Sequence, residues 1–398
     1  MSFKFPIFIS LSPNVEKDDI FLCFKLLFSK KGGKAIKLLE EKFKNFGYSS
    51  SFNSGRIAFL AILKSLEFNK DDEVMIQAFT CNAAVNPILW AGLKPVFIDI
   101  KKDTLNIDPE ELEKKISSKT KAIVVQHTFG KPAELDRILK ICEKHNLILI
   151  EDCAHSLGGD YNGKKLGRFG KAAFFSLGRD KIISSVYGGM AVTQDKILGE
   201  KIQKFQQQLK FPSFFWIQKQ LWHPILTKII IIPLYAFFGL GKYKLIALQK
   251  LGILSKAVHK MEKQGKMPKY LLKKMPNALA ALGLHQFEKL ERFNNHRYEI
   301  AKIYNPNTEK RVYMRYPVFV KDSDKLLKKF KERGIYLNDG WRKTVVVPIG
   351  TSNTKMGYSD SCHIAEDVAS HILNLPTHIN ISIKKAEIIK NLLKEFQE

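Results

Sequence analysis

Residues Leu147–Met190 read LILIEDCAHSLGGDYNGKKLGRFGKAAFFSLGRDKIISSVYGGM. The opening run is apolar and rich in branched side chains, which predicts a buried strand, and it ends on two adjacent carboxylates, Glu151 and Asp152. Polar, glycine-bearing chain follows, then a second short apolar strand over Ala172–Ser176. Lys181 lies five residues beyond Ser176, and the pair Gly188–Gly189 comes shortly after it. Polar residues just past the ends of buried strands are where an α/β sheet gathers its chemistry.

Working back toward the N-terminus, SFNSGRIAFLAILKSLEF reads as a turn at Ser54–Gly55 that opens a helix. Strands are expected at EVMIQAF, KPVFIDI and KAIVVQHTFG, with helices over Cys81–Ala91, DPEELEKKI and ELDRILKICEKHN. Asp108 is placed to cap the second of these helices, with Pro109 in its first turn. Strands alternating with helices over roughly 150 residues predict a mainly parallel sheet covered on both faces. Toward the C-terminus, a helical stretch from Pro276, the strand RYPVFV, the helix SDKLLKKFKERG and two closing helices predict a smaller α+β domain. The expected division is a large domain over 1–200 including the N-terminal segment, an insertion over 201–275, and a small domain over 276–398.

The insertion is chemically unlike the rest. It holds fifteen lysines against one acid, Glu262, with two tryptophans and the run IIIIPLYAFFGLG. Its uncharged stretch between Lys228 and Lys242 is 13 residues long and contains Pro233, short of the ~20 apolar residues that a membrane span requires. Two readings fit: a segment lying in a membrane interface through 205–250, or one packed on the body or a partner subunit with its lysines in water. The first predicts that polar substitution of Trp216, Trp222 and Ile229–Ile232 reduces binding to anionic liposomes.

Over the whole chain, 65 basic residues face 39 acidic ones, a net charge of +26. Such a field favours polyanions or a phosphorylated substrate, although no nucleic-acid recognition motif accompanies it. The five cysteines are scattered without CxxC spacing, which predicts neither a disulfide framework nor a zinc site and suits a reducing cytoplasm. The N-terminal MSFKFPIFISLSP interrupts its apolar run with lysine and proline and reads as no signal peptide. Walker, GxGxxG, serine-triad and histidine-cluster metal motifs are absent.

Taken singly, the candidate residues have plain alternatives. Lys181 is one lysine among many, Asp152 could cap a helix, and His155 could be a satisfied core histidine. Ser54–Gly55–Arg56 at a helix start is a plausible phosphate cradle, and Ser176 a second phosphate ligand. Together, an acid at one strand end and a lysine past another are what pyridoxal phosphate chemistry requires. The lysine bonds the cofactor aldehyde, and the acid keeps the pyridine nitrogen protonated.

In order along the chain, NSGRIAF, DDEVMIQAFTCNAAVNPILWAGLKPVFIDI, HNLILIEDCAHSLGGDYNGKKLGRFG, FFSLGRDKIISSVYGGMAVT and PNALAALGLHQFEKLERFNNHR resemble the DegT/StrS-type sugar aminotransferases, with roughly three quarters of the chain covered. These are pyridoxal phosphate enzymes of fold type I. The resemblance implies that Lys181 is the Schiff-base and proton-shuttling lysine, that Asp152 pairs with the pyridine nitrogen, that His155 lies against the cofactor, and that Gly55, Arg56 and Ser176 hold its phosphate. It also implies a homodimer, an amino-acid donor (commonly glutamate) and a keto-sugar acceptor on a nucleotide diphosphate, in surface-polysaccharide or amino-sugar biosynthesis; membrane contact by the insertion would make a lipid-linked sugar a credible acceptor. A metal has no part in it. Three positions depart from the pattern. Cys81 stands where an aromatic ring usually covers the cofactor, Tyr187 replaces a glutamate, and 201–270 replaces a region that often reaches the partner's site. The alternatives are a dehydratase of the same fold, which can lack the lysine, and a membrane-associated regulatory protein without turnover.

Overall fold

The computed structural model describes residues 6–237, 239–359 and 361–397. Met1–Phe5, within the stretch read as no signal peptide, and Phe238, within the apolar run, lie outside the described residues. One seven-stranded sheet holds β1 (Tyr48–Phe52), β2 (Glu73–Gln77), β3 (Lys94–Ile98), β4 (Thr120–Gln126), β5 (Ile148–Asp152), β6 (Ala172–Ser176) and β7 (Gly189–Thr193), in the order β1-β7-β6-β5-β4-β2-β3; the sequence points to β2 through β6 as strands but not to β1 or β7. Pairs among β2 to β6 are parallel, and β7 runs antiparallel to both β6 and β1. In register, Gln126 lies beside Asp152, and Asp152 beside Phe174. The carboxyl ends of β4, β5 and β6 therefore deliver Gln126, Asp152 and Ser176 to one edge.

Alternation along β6 shows both faces covered. Phe174 stacks on Phe59 of the helix Gly55–Ser65 at 4.6 Å, whereas its neighbour Phe175 packs the other way on Phe43 and Phe46, at 5.3 and 4.9 Å. Ser54 caps the helix by accepting a hydrogen bond from the Ile57 N–H at 3.4 Å, and nearly every residue behind it is buried. Gly189 lets this helix start close to β7: a Cβ there would sit 2.3 Å from the Gly55 nitrogen and 2.4 Å from the Ser54 carbonyl carbon. Backbone cannot yield as a side-chain tip can. Gly189→Ala is therefore expected to destabilise the protein by about 3 kcal/mol, at the upper end for overpacking, as read from urea unfolding.

A second apolar core, with Phe330, Leu375 and Ile389 among its buried members, supports the antiparallel strands Arg315–Phe319 and Ile372–Pro376 and the helices Ser323–Glu332 and Ile383–Gln397. The N-terminal segment, grouped by sequence with the large domain, crosses to this core. Ile7–Phe8 pairs in parallel with Ile335–Tyr336, and Ile7 and Ile9 are buried there.

The insertion folds as short helices, Phe214–Leu226 and Leu240–Lys250, joined through a π-helical turn at Thr227–Ile231 and the turn Ile232–Tyr235. Part of it packs on the body. Trp216 lies against Tyr187 and Tyr270, Trp222 meets Phe24 edge-on, and Ile231 is fully buried. Trp216 and Trp222 are half-buried and Ile231 wholly so, and the liposome substitutions expected from sequence would therefore disturb packing as well as any surface role. Among the described residues, no helix is long and apolar enough to cross a membrane.

Candidate active site

One cavity of about 450 Å³ opens at the carboxyl edge of the sheet, within the size range of small-molecule sites. Gly55, Arg56, Cys81, Asp152, His155, Ser176 and Lys181 all line it. Residues more than 120 positions apart thus meet because β1, β5 and β6 end at the same edge and the helix Gly55–Ser65 starts there.

Asp152 is the last residue of β5, and its Oδ1 accepts the Ala154 N–H at 2.9 Å. No helix begins here, so the capping alternative is not realised. Burial pushes its carboxyl up to about 6, against the opposing pull of that N–H and of the Lys181 and His127 charges. Its neighbour Glu151 faces the other way. It accepts the N–H groups of Gly167, Phe169 and Gly170 at 2.7 to 2.8 Å, and lies 3.3 Å from His127 Nε2. Burial would raise the Glu151 carboxyl, but those partners hold it below the usual range. The paired acids therefore divide their work: Glu151 clamps the 167–170 loop, and Asp152 serves the cavity.

Lys181 is held through its backbone. Its N–H donates to the Gly178 carbonyl at 3.2 Å, and its own carbonyl accepts from the Asn14 amide. Asn14 is in turn fixed by Arg297, which donates to Oδ1 at 2.6 Å, and by Gln286, which donates to its carbonyl at 3.0 Å. Beside it, Asp180 receives Arg315 Nη2 at 2.8 Å, and Arg315 also pairs with Asp339. Burial would raise the Asp180 carboxyl, but Lys181 and Arg315 keep it low.

His155 Nδ1 accepts the Phe129 N–H at 3.4 Å, which leaves the ring proton on Nε2. The ring stacks at 5.6 Å on Phe129 and meets Trp341 edge-on at 5.1 Å. Burial and the nearby Lys181 and Arg315 charges hold it well below the ordinary histidine range, so it is neutral. Trp341 itself lines the cavity. It brings an aromatic ring to the cavity that Cys81 also lines; burial pushes the Cys81 thiol up, and the thiol accepts the Ala83 N–H at 3.5 Å. No local pattern in NDGWRK could have revealed this, because Trp341 arrives from the small domain.

At the helix start, Gly55 fits against β6: a Cβ there would fall 2.9 Å from the Ser176 Cβ. The free N–H groups of this turn and the Ser176 hydroxyl share one end of the cavity. Arg56 is placed differently from the sequence expectation of a phosphate ligand. Its guanidinium pairs with the buried Glu262 and donates to the Ala257 carbonyl at 3.3 Å. Burial alone would lower the Arg56 proton affinity, and the Glu262 carboxylate more than reverses this.

The insertion walls the cavity. Arg179 donates to the Ser255 carbonyl at 2.6 Å and to Gln220 at 3.2 Å, Tyr187 donates its hydroxyl proton to the Lys256 carbonyl at 2.7 Å, and Leu245, Gln249 and Val258 reach the lining. Tyr187, in the place of the expected glutamate, thus fastens the insertion to the lysine loop. Glu262 carried a visible signal as the one acid among fifteen lysines.

The sequence model of the DegT/DnrJ/EryC1/StrS aminotransferase family matches residues 24–221 and 242–394, skipping the middle of the insertion. The GDP-perosamine synthase of Escherichia coli O157:H7 is 27% identical over 98% of each chain. An uncharacterised protein of Methanocaldococcus jannaschii is 34% identical over 70% of this chain and 63% of its own length. Among solved structures, the Helicobacter pylori aminotransferase PseC, involved in pseudoaminic acid biosynthesis, superimposes with a TM-score of 0.75 at 25% identity, covering 98% of this chain and 99% of its own.

Proposed function

From the premise that the chain belongs to the DegT/DnrJ/EryC1/StrS aminotransferase family and is a pyridoxal phosphate-dependent sugar aminotransferase, we propose which of its residues perform the reaction and on what. Pyridoxal phosphate, when bound, supplies an electron sink for the bond broken at the donor's α-carbon. The lining fits that group. A glycine turn packed too tightly for a Cβ, a hydroxyl beside it, and a buried acid opposite a lysine match its phosphate, ring nitrogen and aldehyde.

Lys181 would hold the cofactor through Nζ and would serve as the base that moves the donor's α-proton. Asp152 would hold the ring nitrogen in its protonated form, a pairing that the low-dielectric site strengthens. His155, neutral with its proton on Nε2, would donate to the ring hydroxyl. The backbone N–H groups at Gly55 and Arg56, with Ser176 Oγ, would hold the phosphate, while the Arg56 guanidinium stays with Glu262. Trp341 replaces the missing aromatic beside Cys81. Retention of Lys181 favours amino transfer over dehydration. One observation supports this assignment above the others: Lys181 and Asp152 line one cavity, and the Lys181 charge acts on the Asp152 carboxyl.

The donor is glutamate and the acceptor a keto sugar on a nucleotide or lipid carrier, in amino-sugar or surface-polysaccharide synthesis. We place the reaction in the cytoplasm, in a homodimer with access to the inner membrane face. Adding glutamate to the yellow protein is expected to bleach its visible absorbance and release an equivalent of 2-oxoglutarate. A spectrum unchanged by glutamate would overturn this donor assignment.

A further inference from the structure

We propose that the insertion and the helix Lys17–Leu26 form one face that docks on an anionic lipid bilayer. The docking itself does not depend on the residue roles above.

Three outward stripes build this face. On the helix Lys17–Leu26 and the turn after it, Phe21, Phe24 and Phe28 follow helical spacing. Phe215, Lys219 and Trp222 have the same spacing on the helix Phe214–Leu226, Phe215 exposed and the other two half-buried, and the two stripes join where Phe24 meets Trp222 at 5.9 Å. Gly252 lies against Lys219, which brings the turn after Leu240–Lys250 to the same side. That helix shows Leu240, Tyr243 and Ile246 to solvent, with lysines 242, 244 and 250 exposed among them.

The exposure is far beyond scattered surface leucines. Phe28 is 89% exposed, Phe215 77%, Leu251 73%, Tyr243 66% and Phe21 62%. Large apolar tips interleaved with lysines suit insertion at the headgroup level with cations on the lipid phosphates.

Charge decides the occupant. The only acid of 201–275 is Glu262, which is fully buried against Arg56, so the insertion presents lysines and no carboxylate. On the helix Lys17–Leu26, Asp18 and Asp19 are occupied by Lys289 and His285. A second copy docking by two-fold symmetry would set like charge against like. Nucleic acid would answer the lysines but leave the phenylalanines in water. An anionic bilayer answers both. Because Leu245 and Gln249 of the same helix line the cavity, docking brings one cavity wall to the membrane.

The test uses the full chain with vesicles of phosphatidylcholine alone or with about one-third phosphatidylglycerol. Sedimentation with the anionic vesicles is expected to exceed that with neutral ones at least about tenfold, and to fall as salt is raised. The triple variant Phe28→Ser, Tyr243→Ser, Leu251→Ser should weaken binding about tenfold or more, with unchanged melting temperature, colour and response to glutamate. Absence of binding to anionic vesicles, or binding indifferent to the triple variant, overturns the proposal. So does a triple variant that turns a dimer into monomers, or tighter binding to duplex DNA than to vesicles. Colour and bleaching are read in the same samples, so failure of docking and failure of the aminotransferase assignments are told apart.

Discussion

Lys181→Ala is expected to yield a folded, colourless protein whose turnover is at least about 10³-fold lower than that of the parent. Two roles are lost together: the amine that bonds the cofactor and the base that moves the α-proton. The fold should survive, because the loop is held by backbone rather than by the lysine side chain. The Lys181 carbonyl still accepts from Asn14, and Asp180 still pairs with Arg315. Circular dichroism and melting temperature close to the parent's, with the visible band gone, are the expected pair of results. A yellow Lys181→Ala protein that still bleaches with glutamate would show that another amine does this work.

Asp152→Asn should lower turnover about 10²–10³-fold, the usual loss when one preorganised charge partner is removed. Its effect on the cofactor-free protein should run the opposite way. Unfolded, Asp152 loses its proton near 3.8; folded, burial moves this to about 6. The folded state holds the proton more tightly. Stability tied to this group is therefore fully present below about pH 4 and is lost as pH rises through about 6. At pH 7.5 the deficit is about 3 kcal/mol, and Asp152→Asn should recover most of it. The gain should shrink as the pH is lowered toward 5. Loading the cofactor should reverse the order, because the parent's buried carboxylate then has a cationic partner and the asparagine does not. Urea unfolding at the two pH values, with and without cofactor, measures all of this. Equal stability of parent and variant at pH 7.5 without cofactor would mean that Asp152 is already compensated.

The contrast between Glu151 and Asp152 shows what local reading supports. Adjacent residues on a strand point to opposite faces, so one acid was bound to serve the sheet's packing and the other a different side. The resemblance pointed to Asp152, but periodicity does not tell which, because the Gly167–Gly170 turn that captures Glu151 lies sixteen to nineteen residues on. Arg56 teaches the same lesson with the opposite result. Its place at a helix start was legible as an anion site, but its guanidinium is claimed by Glu262, which lies about two hundred residues away.

By itself, the sequence determined five of the seven sheet strands, the helix that opens at Ser54–Gly55, and the placement of Asp152 and Ser176 at strand ends with Lys181 just beyond one. Those features rest on periodicity and turn chemistry, which act over a few residues. The tertiary structure decided what crosses the chain. Asn14 and Arg315 steady the lysine loop, Trp341 arrives beside His155 from the small domain, and Ile7 pairs with Ile335 in the second core. It also decided the fate of the insertion, half of which packs on Tyr187 and Arg179 while the other half stays bare. Such contacts depend on which distant surfaces meet, and no local pattern carries that information.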